Sequence, residues 1–145
     1  MPVYKLDEEY HLALVEDKQG LQELIELMHQ ESPYRDYPLR KNLADLVTGI
    51  TIGLFYKETL VGFLNCVGID HPLIDVKIAF EQGYFVHPDH RGRHSLKLIE
   101  AYEVWATMNQ MQVIQLMHMN TPQLDKIYEK LGYKLYEKAY LKNVS

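Results

Sequence analysis

Hydrophobic positions along the chain switch between a spacing of two and a spacing of three to four, and each switch marks an element boundary. Tyr10, Leu12, Leu14 and Val15 form a short, mostly alternating run that predicts a first strand. Asp17 is placed to cap a helix whose apolar positions Leu21, Leu24, Ile25, Leu27 and Met28 recur at helical spacing, and Ser32-Pro33 ends it. A weaker stripe of Leu43, Leu46 and Val47 predicts a second, shorter helix over 39–47, closing near Gly49. The texture then turns β-branched and aromatic. Ile50 to Tyr56 reads as a strand, Lys57-Glu58-Thr59 as a polar turn and Leu60 to Ile69 as the hairpin partner. After the break at Asp70-His71-Pro72, the positions Val76, Ile78, Phe80 and Gly83 to Val86 predict a third strand of this group, with Gly83 marking a bulge.

Past Val86 the period returns to that of a helix, with Leu98, Ile99, Tyr102, Trp105 and Ala106 on one face. Val113 to Met119 is apolar enough for a strand buried on both faces. Thr121-Pro122 opens a last helix with the stripe Leu124, Ile127, Tyr128 and Leu131. Gly132 closes it, and Tyr133 to Leu141 predicts a final strand. The unit from Ile78 to Met119 is strand, helix, strand, so those two strands are expected to be parallel with a right-handed crossover. No repeat, linker or low-complexity segment interrupts the chain. The expectation is one α/β (α+β layered) domain over 1–145, a mixed sheet flanked by helices.

Composition narrows the function classes. With 145 residues, 47% of them hydrophobic, one core is expected to bury about two-thirds of the unfolded surface. A formal charge of -5 argues against a broad nucleic-acid interface. The lone Cys66 sits inside an apolar run, which excludes a disulfide framework and reads as a buried core thiol. No apolar run approaches the roughly 20 residues that span a bilayer, and the N-terminal stretch lacks a signal-peptide core, so a cytoplasmic protein without membrane partners is expected.

The chemistry concentrates between Gly83 and Trp105. A strand ending at Val86 feeds a helix through a turn rich in basic and small residues, and such a helix start leaves N–H groups and the positive dipole end facing an anion. The segment Tyr84-Phe85-Val86-His87-Pro88-Asp89-His90-Arg91-Gly92-Arg93, with Asn120 and Tyr128-Glu129-Lys130-Leu131-Gly132-Tyr133 further on, resembles the GNAT superfamily of N-acetyltransferases. The order of strands and helices agrees along essentially the whole chain. The resemblance implies a GNAT-like acyl-CoA N-acyltransferase fold that moves acetyl from acetyl-CoA to a primary amine of unspecified identity, in a small molecule or a protein. It further implies that Phe85 and Val86 lie beside the pantetheine arm and that Arg91, Gly92, Arg93, His94 and Ser95 form the pyrophosphate loop. Asn120 would lie near the cofactor, Tyr128 would protonate the departing thiolate and Glu81 would serve as general base. Related domains often pair as dimers.

Elementary chemistry agrees with these assignments. Arginine offers charge-assisted hydrogen bonds to phosphate, and Gly92 permits close backbone approach. A phenol with a pKa of about 10 is protonated at neutral pH and can act as an acid. The chain departs from the family pattern at His94, Ser95 and Leu96, where further small residues are usual. A β-carbon at His94 is expected to crowd the loop, and that departure motivates the alternative of a GNAT-like binding or host-interaction protein with weak or absent catalysis. His87, Asp89, His90 and His94 do not read as a metal site, because Arg91 and Arg93 interleave with them. The G-x-x-x-x-G-K-[ST] and G-x-G-x-x-G phosphate loops are absent from the sequence.

Overall fold

The alternating runs pair with one another in chain order. In the computed structural model, which describes residues 4–41, 43, 47–119 and 121–144, the strands are β1 (Tyr4–Lys5), β2 (Tyr10–Leu14), β3 (Ile50–Tyr56), β4 (Thr59–Asp70), β5 (Lys77–Val86) and β6 (Val113–Ile114). They form one mixed sheet in that order, antiparallel throughout except for the parallel pair β5 and β6. Helix α1 (Lys18–Glu31) packs on one face, burying Leu21, Leu24 and Ile25 against Leu60, Phe63 and Phe85. Helices α2 (Leu96–Met108) and α3 (Gln123–Lys130) cover the other, where Leu98, Ile99, Tyr102, Ala106 and Tyr128 meet Ile52, Leu54, Leu64, Cys66 and Ala79. Each fully buried aliphatic side chain in these layers contributes about 1.5–3 kcal/mol of transfer free energy.

Local signals set the helix ends. Asp17 Oδ1 accepts from the Gly20 N–H at 2.9 Å, as its capping position predicts. At the end of α3 the Gly132 N–H donates to the Glu129 carbonyl and the Tyr133 N–H to the Tyr128 carbonyl, both at 3.0 Å, with Gly132 at φ +95°. This is a Schellman termination. The rings of Tyr128 and Tyr133 meet across it, with centroids 6.2 Å apart. The Tyr128-to-Tyr133 signature therefore ends the helix at a fixed distance from Tyr128. The expected helix over 39–47 includes Asn42 and residues 44–46, which lie outside the described residues.

The bulge on β5 falls one residue before the expected position. Gly83 pairs with Asn65 and Glu81 with Cys66, so Gln82 is the extra residue. An inserted residue shifts the two-residue alternation by one, and here it puts both Glu81 and Tyr84 on the face covered by α2 and α3. Gln82 turns to the opposite face, where its Nε2 donates to Asn65 Oδ1 at 2.7 Å and to the Thr48 carbonyl at 3.1 Å.

Two expected strands are corrected. The run Val113 to Met119 pairs only at Val113 and Ile114, and Val113 is 45% exposed because β6 is the sheet edge. After Gln115, whose N–H still reaches the Ala79 carbonyl at 2.9 Å, the chain leaves β5. Tyr133 to Leu141 forms no strand: Leu135, Tyr136 and Tyr140 are 76%, 72% and 89% exposed. A two-residue β6 offers no edge long enough to pair with, and among the described residues the segment is tied to the chain just after β6 by Gln115 Nε2, which donates to Tyr136 Oη at 2.6 Å.

Candidate active site

The divergence of β6 from β5 creates the first half of the site. β5 continues to Val86 with no strand on that side after the pairing of Ala79 with Ile114. The His87 N–H donates to the Val61 carbonyl at 2.7 Å, which fixes the bonding register with β4. In an antiparallel ladder the backbone groups of successive residues face opposite edges, so those of Phe85 face β4 while those of Tyr84 and Val86 face the open side.

Two buried side chains meet at the start of this opening, on one residue of the departing chain. Glu81 Oε1 accepts from the Met117 N–H at 3.3 Å, and Tyr128 Oη donates to the Met117 carbonyl at 3.1 Å. Glu81 is 4% exposed and Tyr128 8%. Burial disfavours the charged carboxylate and pushes the Glu81 pKa up to about 7, against a partial offset from the Met117 N–H. Burial likewise raises the Tyr128 phenol, with the Glu81 charge adding to it. Cys66, facing Glu81 across the ladder, is pushed up to about 12 by burial and by the same carboxylate. It is therefore an inert core thiol.

The second half is the turn into α2. His87 and Asp89 close a short 3-10 turn over Pro88–His90, and a second over Arg93–Ser95 runs directly into the helix. Ser95 makes no side-chain cap, and the first turn of α2 holds no acidic residue. Among the described residues no acceptor is found for the N–H groups of Gly92, Arg93 and His94. Gly92 sits at φ +155°, a conformation open essentially to glycine, and a Cβ built on it would meet no atom within 4 Å. The loop thus presents donors and the helix dipole to free space, which suits an anion such as a diphosphate. Tyr84 Oη donates to the Ser95 carbonyl at 2.7 Å and ties this loop to the open strand.

Comparison with known proteins places this geometry. A sequence model of the acetyltransferase (GNAT) family matches residues 12–133. The chain belongs to the GNAT acetyltransferase family. Solved structures of this fold include a ribosomal-protein-alanine N-acetyltransferase from Brucella melitensis biovar Abortus 2308, 20% identical, with a TM-score of 0.74 over 94% of this chain and 98% of that one. A putative acetyl transferase from Pyrococcus furiosus is 20% identical, with a TM-score of 0.70 over 94% and 100%. The aminoglycoside acetyltransferase AAC(6')-Iy, bound to a CoA-S-monomethyl-acetylneamine bisubstrate analog, is 16% identical, with a TM-score of 0.70 over 95% and 99%. No curated protein matches the chain in sequence. The chain is thus an N-acetyltransferase of the GNAT fold, a mixed sheet with flanking helices.

The residues singled out in the sequence fall into three groups in this acetyltransferase. Glu81 and Tyr128 come together at Met117, and Val86, Gly92, Arg93 and His94 contribute backbone groups to the open strand and loop. Phe85, Arg91 and the side chain of His94 face elsewhere. Phe85 is buried under α1, and Arg91 is committed: its Nε donates to the Val86 carbonyl at 2.8 Å, its Nη2 contacts both Glu31 oxygens at 3.1 Å, and its guanidinium lies 5.2 Å from the Phe85 ring centroid. Arg91 therefore anchors the loop to α1 in this structure, with its side chain about half exposed. The His94 imidazole turns away from the loop, so the expected crowding is relieved. Ser95 Oγ is taken by the Gly92 carbonyl, and Asn120 lies outside the described residues.

Sequence reasoning passed over Tyr84 and Met117. Tyr84 shares a face with Glu81, a relation that only the bulge at Gln82 creates, and Met117 acts through its backbone N–H and carbonyl, which leave no mark on the sequence. Among the described residues no three His, Cys, Asp or Glu side chains are grouped to hold a metal ion, and no helix is long and apolar enough to cross a membrane. Two surface depressions lie away from this site, one of about 280 Å³ lined by Leu14, Leu21, Val47 and Gly49, the other of about 390 Å³ on the outer side of α2 at Val104 and Met108.

Proposed function

We propose that this single domain, alone or as a homodimer, transfers acetyl from acetyl-CoA to a primary amine by direct attack. The observation that carries the reading is the convergence of Glu81 and Tyr128 on the Met117 backbone at the mouth of the opened sheet. The CoA adduct bound by a structural neighbour supports acetyl-CoA as the donor.

Acetyl-CoA supplies an activated thioester. The upturned backbone of Tyr84 and Val86 lines up the pantetheine arm, with the Val86 N–H available to the thioester oxygen. The N–H groups of Gly92, Arg93 and His94 take the diphosphate. As the amine nitrogen bonds to the acetyl carbon, its proton passes to Glu81 directly or through water. The carbon–sulfur bond breaks, and the sulfur takes a proton from Tyr128, whose hydroxyl exchanges the Met117 carbonyl for the departing thiolate. The burial that keeps this phenol protonated also makes it a weaker acid, so its role rests on proximity and orientation.

The acceptor is an amine on a small molecule or a protein. Tyr34, Asp36 and Tyr37, exposed beyond the end of α1, suit a cationic amine. A cytoplasmic setting fits the single buried thiol. The weakly catalytic alternative rested on His94 and Leu96 at positions that are usually small, and the packing of the His94 imidazole against Asp7 and Tyr10 argues against crowding by that residue. Isothermal titration with acetyl-CoA, followed by thiol release over a panel of small and peptidic amines, tests the proposal. Binding in the micromolar range with thiol release on at least one amine is expected. No binding at high micromolar concentration overturns it.

A further inference from the structure

His94 stands where the family favours a small residue, and the structure shows where its side chain has gone. Its Nε2 lies 2.7 Å from Asp7 Oδ2, a partner 87 residues earlier in the chain. Its ring stacks on Tyr10, with centroids 4.2 Å apart and planes at 16°. The same tyrosine reaches across the loop, for Tyr10 Oη pairs with His90 Nδ1 at 2.9 Å, and Tyr56 packs edge-on against both Tyr10 and His90. Asp7 is itself held in place. Its Oδ1 accepts the N–H groups of Glu9 and Tyr10, each at 2.8 Å, which closes the turn leading into β2 and lowers the carboxyl pKa. One carboxylate oxygen thus builds the turn while the other grips the loop.

We propose that Asp7 and His94, with Tyr10 as the platform between them, are positioning residues that pin the loop on both sides of Gly92, so that its free N–H groups are held ready for the CoA diphosphate. The inference rests on the acetyl-CoA reading above and concerns residues that need not touch the ligand. A loop fixed beforehand gives up less conformational freedom on binding, so the clamp contributes to affinity for the part of the donor that the loop holds and to no other part. Acetyl-pantetheine carries the same thioester and arm but lacks the diphosphate, and so separates the two contributions.

The experiment measures kcat and KM of the whole chain with acetyl-CoA and with acetyl-pantetheine, for wild type, Asp7→Ala and Asp7→Asn. Asp7→Asn retains an oxygen for the turn and serves as a second variant should Asp7→Ala fold poorly. Asp7→Ala loses the charge-assisted contact to His94 together with both turn hydrogen bonds, and Asp7→Asn loses the charge alone, so a KM for acetyl-CoA raised about five- to tenfold is predicted in Asp7→Ala, and less in Asp7→Asn, with kcat within about twofold. The kcat/KM for acetyl-pantetheine is expected to stay at the wild-type value, and Asp7→Glu to restore part of the acetyl-CoA affinity. Equal losses with both donors, or no loss with either, overturn the clamp while leaving the acetyl-CoA reading intact. A wild type that uses neither donor overturns both.

Discussion

The two halves of the site are built from opposite materials. At the sheet opening, Glu81 and Tyr128 are nearly inaccessible and bonded to the backbone of a single residue, Met117, and burial has moved the proton affinities of both. At the loop, Gly92 and Arg93 are exposed and the holding contacts come from outside, from Glu31, Asp7 and Tyr10. The difference separates chemistry from grip. Proton transfer is favoured where water is excluded and a carboxyl can titrate near neutrality, whereas a diphosphate is held best by N–H groups that remain open to it. Substitutions in the two halves should therefore separate cleanly, the first in kcat and the second in cofactor affinity.

Tyr128→Phe should show the largest effect, a fall in kcat of about tenfold to a hundredfold with acetyl-CoA affinity nearly unchanged, read by steady-state kinetics beside calorimetry. Unchanged turnover would remove Tyr128 from the mechanism. Glu81→Gln should lower kcat/KM about tenfold and abolish its pH dependence. With Glu81 as the proposed base, the free carboxylate is the form required, so kcat/KM should climb as pH rises through about 7 and then level off. Stability runs the other way. The folded protein holds the Glu81 proton more tightly than the unfolded chain does, its pKa rising from the ordinary 4.5 to about 7, so this contribution is complete below 4.5 and lost as pH rises through 7. Thermal melts of Glu81→Gln should lack that decline.

Effects in the loop should be smaller and confined to binding. Gly92→Ala places a side chain at φ +155° and directs a methyl into the space left for the ligand, and it is expected to weaken CoA binding about fivefold to tenfold with kcat preserved. Arg91→Lys loses the fork that joins the Val86 carbonyl to Glu31 and should cost about twofold in affinity. A drop in kcat in either variant, with affinity unchanged, would break the division between the halves.

Much of this architecture was legible because its causes are local. Asp17 and Gly132 mark helix ends through bonds to residues within five positions, and alternation from Ile50 to Val86 marks three strands. The failures have a common cause in partners that are distant or missing. The anchoring of Arg91 was not legible because Glu31 lies 60 residues away, and His94 looked like an obstruction because Asp7 lies 87 away. Tyr133 to Leu141 has strand texture but no edge to join. Glu81 was chosen from the family pattern, and its facing toward Tyr128 followed only from the extra residue at Gln82.

The central claim is that the open edge of β5 and the loop before α2 together receive acetyl-CoA. Amide chemical shifts of the isotope-labelled protein, followed during titration with CoA, address it directly. The account predicts the largest shifts at the N–H groups of Val86, Gly92, Arg93 and His94, with a secondary response at Met117. Shifts gathered instead around Leu14, Leu21 and Gly49, at the depression between α1 and the start of β3, would contradict it.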